Sequence, residues 1–139
     1  RFITFSAEEL GLLGSLHYVS SLTQAERQQI VAMVSLDMVG VGDKMRFGGS
    51  QQLVQTALAI ASSQGIPAQA LEGLSARSSD HVSFISAGIP AVLFHYTVGN
   101  DLDPRYHTAQ DQADFVDPAN MEKMVEVGLA FAARLVEGR

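Results

Sequence analysis

Short apolar, partly β-branched runs alternate with longer stretches of helical periodicity along this 139-residue chain, and that alternation restricts the folds open to it. Residues 2–5, 30–38, 68–71 and 91–96 read as strands, with 30–38 expected to be buried on both faces and 68–71 weak. Residues 9–22 carry Leu10, Leu13, Leu16 and Val19 at helical spacing, with Gly11 and Gly14 marking close packing against the sheet. Thr23-Gln24-Ala25-Glu26 has the capping-box pattern and starts a short helical turn. Gly48-Gly49 reads as a break before a helix over 51–63, which Gly65-Ile66-Pro67 ends. A short helix over 80–87 stops at Gly88 and Pro90. A polar loop over 97–114 precedes Asp117-Pro118, an N-cap with proline at the first helical position. The last helix then runs to about 136, with Met121, Met124, Val125, Leu129 and Phe131 on or near its apolar face. The pattern predicts one α/β domain, a mainly parallel sheet flanked by helices, without repeats or an interdomain linker.

Composition narrows the function. A content of 47% hydrophobic and 17% charged residues is that of a chain with a packed core rather than a disordered one. A net charge of −6 with only 9 lysines and arginines argues against nucleic acid, which needs a basic patch. No apolar run is long enough to span a bilayer. The absence of cysteine excludes disulfides and thiolate metal sites without identifying a compartment.

Chemistry is concentrated at a few points. Glu8 and Glu9 are adjacent carboxylates just past the apolar run 2–5. Side by side they repel, and burial raises the cost of ionising either. A metal ion resolves the conflict, because one carboxylate can ligate it while the other takes a proton from an activated water. Asp37 ends a second apolar run, and Tyr106-His107-Thr108 lies in the loop after a third. In a parallel sheet, ligands bind beyond the carboxyl ends of the strands, so Glu8, Glu9, Asp37 and His107 are expected to meet at one edge. Each also has a plainer reading. Glu8 and Glu9 could be first-turn acids of a helix, Asp37 a loop cap and His107 an exposed loop histidine. His17 reads as solvated or packed, His95 as a hydrogen-bonded wall residue, and Asp80 as a helix N-cap. Asp111 and Asp114 could orient the His107 loop by accepting backbone N–H bonds.

Ser6-Ala7-Glu8-Glu9-Leu10-Gly11-Leu12-Leu13-Gly14-Ser15 resembles the glutamate motif of the M28 zinc peptidases, which are mostly aminopeptidases. Ser35-Leu36-Asp37-Met38-Val39-Gly40 resembles their second-acid segment, and Ser79-Asp80-His81-Val82-Ser83-Phe84 with Ala87-Gly88-Ile89-Pro90-Ala91 the helix and strand that follow. Tyr106-His107-Thr108-Ala109-Gln110-Asp111 is similar to the terminal histidine motif. Order and spacing agree over essentially the whole chain. The resemblance implies a zinc-exopeptidase fold, a peptide substrate and two zinc ions in the complete domain. It assigns Glu8 as general base, Glu9 and His107 as ligands of one zinc, and Asp37 as a ligand of the other. Tyr106 falls where some members hydrogen-bond the oxyanion. Arg77 lies near a position facing substrate but stays outside the catalytic set. A secreted or periplasmic location also follows from the resemblance.

The departure from the family is as informative. Members carry, upstream of the glutamate motif, a histidine and an aspartate that bridges both metals, and no His-x-Asp triplet occurs in this chain. The expectation is therefore the C-terminal part, residues 1–139, of a peptidase domain incomplete at its N-terminus. The start at Arg1, directly in a strand-like run, is read as a cut end. Such a chain is expected to bind zinc weakly or partially, to lack activity alone, and to associate with its N-terminal complement or with itself. The other readings are a non-catalytic peptidase-like interaction module, or another co-catalytic zinc hydrolase of carboxypeptidase or glutaminyl cyclase type.

Overall fold

The computed structural model describes residues 1–72 and 79–138. Its elements run α1 (Leu13–Ser21), α2 (Gln24–Gln29), β1 (Met33–Leu36), β2 (Lys44–Gly49), α3 (Gln51–Ser63), β3 (Ala68–Ala70), α4 (His81–Ser86), β4 (Ala91–Thr97) and α5 (Pro118–Glu137). The strands form one sheet in the order β1-β4-β2-β3. β1 pairs parallel with β4 and β2 parallel with β3, while β2 and β4 are antiparallel. The sheet is thus mixed, with two of its three pairings parallel, and flanked by helices, in the α/β class that the alternation predicts.

β4 is buried along its whole length because its two faces serve two cores. Val92, Phe94 and Tyr96 point toward α3 and α5, where they meet Met45, Phe47, Ala57, Val127 and Phe131. The ring of Phe94 contacts those of Phe47 and Phe131, with centroids 4.6 and 5.4 Å apart. Ala91 belongs to the smaller core under α1 and α4, built on Val19, Phe84 and Ile89. Alternation along one strand thereby joins both layers.

Several expectations are met closely. The helix over 51–63 has the expected bounds. Thr23 and Glu26 form a reciprocal capping box. Asp117 caps α5 by accepting from the Ala119 N–H at 2.9 Å, with Pro118 at the first helical position.

Others are corrected. Residues 2–5 form no strand, because no described strand lies alongside to take up their hydrogen bonds. Phe2 is fully exposed, and Phe5 instead packs on Tyr18 and Phe84. α1 begins at Leu13 rather than at residue 9, since Leu12 has a left-handed φ of 60° and cannot continue a helix backwards. β1 is a half-exposed edge strand and is not buried on both faces. Gly48 and Gly49 do not break the chain but end β2, an element that the glycines conceal in the sequence. A Cβ on Gly49 would lie 2.5 Å from the Ala91 carbonyl oxygen, so glycine is what lets β2 approach β4 there. On α5 the inward face is Met124, Val127 and Phe131, while Val125 and Leu129 face outward. Asp80 occupies the N-cap position of α4 without a side-chain cap bond. Arg77 lies outside the described residues.

Phe131 carries the consequence of this packing. Phe131→Ala is expected to lower unfolding free energy by about 3–5 kcal/mol, through lost transfer energy and a residual cavity. Urea denaturation of the two proteins would measure it, and a loss below ~1 kcal/mol would show that α5 contributes little to the core.

Candidate functional site

Parallel pairing of β1 and β4 opens their carboxyl ends onto the same edge of the sheet. Asp37 follows β1 directly. Its N–H donates to the Phe94 carbonyl at 3.2 Å, and Tyr96 N–H donates to the Met38 carbonyl at 3.2 Å, so the ladder extends past the strand end. His95 Nδ1 lies 3.1 Å from the Asp37 carbonyl oxygen and donates to it. Burial lowers the proton affinity of His95, which keeps the ring neutral in this wall position.

Glu8 and Glu9 reach the same edge by another route. They sit in a compact turn rather than at the end of a buried strand, Glu8 half-buried and Glu9 exposed. Gly11 N–H and Leu12 N–H both donate to the Glu8 carbonyl, at 3.0 and 2.8 Å. Gly14 N–H closes the turn onto the Ser6 carbonyl at 3.0 Å. A Cβ on Gly14 would stand 2.5 Å from that oxygen, so only glycine permits the closure. The turn is anchored to the domain by a buried Ser15–Ser83 hydroxyl contact of 2.8 Å between α1 and α4.

His107 comes from the loop after β4. Arg46, buried in β2, holds the start of that loop by donating to Thr97 Oγ1, Gly99 O and Asn100 Oδ1. Farther along, Asp103 accepts from Arg105 N and Nε, both at 2.8 Å, and forms an ion pair with Nη2. Arg105 holds the Asp103 carboxyl at about 2, below its usual 3.8. The Arg105 guanidinium also lies 3.9 Å over the Phe115 ring. Asp111 and Asp114 are exposed; Asp103 takes a backbone N–H of this loop, and Asp43, from outside it, takes that of Gly99 at 2.8 Å. Its signal in the sequence is Asp103-Pro104, a turn-forming pair.

These routes converge. His107 Nε2 is 2.9 Å from the Glu9 carboxylate, and its ring stacks on Tyr106 with centroids 3.7 Å apart. The Glu8 carboxyl binds its proton more tightly than usual, first through burial and then through the charges of Asp37, Glu9 and Asp80, with His107 opposing. The Tyr106 hydroxyl is likewise pushed up by burial and by Glu9, Asp37 and Glu8. Glu8, Glu9, Asp37, Tyr106 and His107 therefore share one electrostatic neighbourhood. His17 is exposed and stands apart from it on α1.

Zinc takes carboxylate oxygen and imidazole nitrogen, so the Glu9–His107 pair and Asp37 fit a zinc centre in donor type. In number they do not close one. Among the described residues, no group of three or more His, Cys, Asp or Glu stands together to hold an ion. The donors suit a site that further ligands complete.

Known proteins share this fold. Aminopeptidase YwaD of Bacillus subtilis (strain 168) is 32% identical over 133 residues, which is 88% of this chain and 29% of that protein. A probable leucine aminopeptidase of Arthroderma benhamiae is 30% identical over 139 residues, 97% of this chain and 38% of that one. The solved structure of BSAP, a zinc aminopeptidase from Bacillus subtilis, superposes with a TM-score of 0.83 at 31% identity, covering 95% of this chain and 35% of that structure. The chain thus spans 29% and 38% of the lengths of these two curated relatives. The model of Peptidase family M28 matches residues 1–132, and the chain belongs to that family.

Proposed function

We propose that this chain is the C-terminal part of a zinc aminopeptidase catalytic domain and carries its general base. The observation that carries the reading is the convergence of Glu8 with Asp37, Tyr106 and the Glu9–His107 pair at one sheet edge. Glu9 and His107 would hold one zinc ion and Asp37 the other, in a two-ion site of the complete domain. When bound, zinc supplies Lewis acidity. Glu8 takes the proton of the attacking water and returns it to the leaving amine. In the chain without metal, burial and the neighbouring acids raise its proton affinity above that of a free carboxylate. The Tyr106 hydroxyl, which burial and neighbouring charge push up in the chain without metal, would donate to the oxyanion of the tetrahedral intermediate. The substrate is a peptide with a free N-terminal residue. A secreted or periplasmic location is proposed on the family resemblance alone.

The missing histidine and bridging aspartate ligands would come from an N-terminal complement of the same domain. The surface supports such a partner. Leu10, Leu13 and Leu16 are exposed near α1, and Leu36 is exposed on β1, whose outer backbone edge pairs with no described strand. Apolar groups beside an open edge favour association.

Glu8→Gln, in the protein at its native length, is expected to leave zinc content nearly intact and to lower turnover of an aminoacyl anilide by ~10²–10⁴-fold. Near-full turnover would remove Glu8 from the role of base. The 139-residue chain alone is expected to bind zinc weakly, because Glu9 and His107 supply just one pair of donors to one ion. Tight binding of two ions in a calorimetric titration would contradict the division of ligands proposed here. Light scattering of the same chain at micromolar concentration is expected to show association, and a compact monomer would mean that the exposed leucines and β1 edge need no partner.

A further inference from the structure

A buried carboxylate in a polar loop is costly unless it is fully paired, which makes Asp103 informative. Its residue is 5% exposed, and it lies four residues before His107. Its carboxylate gathers the backbone N–H and guanidinium of Arg105, which then covers the face of Phe115. Around this knot the backbone folds tightly. Tyr106 N–H donates to the Asp103 carbonyl at 2.9 Å, and the Arg105 carbonyl accepts from Thr108 N–H at 2.9 Å and from Thr108 Oγ1 at 2.6 Å.

His107 sits inside this turn at φ 59°, the left-handed region that a side chain with a Cβ rarely occupies. Beyond Phe115 the same strand of contacts reaches the other side of the site. Asp117 N–H donates to the Gly40 carbonyl at 2.7 Å, in the loop that follows Asp37. The knot thus ties the His107 loop to the Asp37 loop without touching either functional side chain.

We propose that Asp103, acting through Arg105 and Phe115, is a positioning residue that holds His107 in its left-handed conformation with Nε2 directed at Glu9. The consequence for metal rests on the zinc reading above; the conformational claim does not. A conventional backbone at 107 would turn the imidazole away from Glu9, so the donor pair would separate.

The test uses the protein at native length, metal-free and with isotope-labelled imidazoles, at one fixed pH. Asp103→Ala is expected to displace and broaden the His107 ring resonances while those of His81 and His95 keep their positions. Asp103→Asn, which retains an acceptor for Arg105 N–H, is expected to restore part of the shift. Phe115→Leu keeps the carboxylate and removes the aromatic face, so a smaller displacement of His107 is expected even where Asp103→Ala does not fold. Unchanged His107 resonances in the variants that fold would overturn the proposal, as would equal displacement of His81 and His95. Zinc affinity by chelator competition is expected to fall ~10–100-fold in Asp103→Ala. A wild-type protein that bound no zinc would count against the metal reading, while the resonances would still decide the role of Asp103.

Discussion

The parallel register of β1 on β4 is the constraint on which the site depends. Leu36 stands opposite Phe94, so Asp37 emerges beside the last residues of a strand buried on both faces. Those residues fix it, through the Phe94 carbonyl and the His95 ring, while the Tyr96 N–H holds the neighbouring Met38 carbonyl. The same strand then feeds the loop that delivers Tyr106 and His107. One pairing therefore sets the positions of groups seventy residues apart in sequence. The antiparallel β2 contributes differently. Its carboxyl end, Gly49, lies opposite Val92 near the start of β4, away from the site. Its part is to supply Arg46, which secures the turn at the far end of β4.

A cluster of carboxylates at one sheet edge works against the fold. Glu8 is raised above its ordinary 4.5 by burial first and then by Asp37, Glu9 and Asp80. Between the ordinary and the raised value the native state binds more protons than the unfolded chain. Stability contributed by this group therefore falls as pH rises through that window. Above that window an ionised Glu8 is a cost to folding, and a cation among the acids would relieve it. Arrangements that store such a cost are found disproportionately where chemistry is done.

What the sequence makes legible follows from which residues act locally. The bounds of α3 and the caps of α2 and α5 are written in neighbouring residues, Thr23 with Glu26 and Asp117 with Pro118, and those elements were readable. β2 was not, because the pair Gly48-Gly49 looks like a break until an antiparallel neighbour is known to need the space. The run 2–5 looks like a strand because strand propensity says nothing of whether a partner is present. For the candidate site, Glu8, Glu9, Asp37, Tyr106 and His107 are proposed on motif order. Their convergence was expected from strand ends, and that reason holds for Asp37 and the His107 loop. It does not hold for Glu8 and Glu9, which a glycine-closed turn brings to the edge. Asp103 was missed because its importance lies in burial and in Arg105, neither of which a pattern of acids displays.

The contact between Glu9 and His107 is exposed on both sides. Ion pairs of that kind contribute at most about 1 kcal/mol and are screened by salt. It is therefore too weak to be what shapes the loop, and the causality runs the other way. The loop must already hold His107 at a left-handed φ for the pair to form, and that conformation itself costs roughly 1–2 kcal/mol. The energy has to come from contacts that a water molecule cannot easily replace. Next to His107, the buried Asp103 carboxylate with its three Arg105 donors and the aromatic face beneath them are contacts of that description. The placement of an exposed imidazole is thus set by a pair, built on one buried carboxylate, that does not touch it.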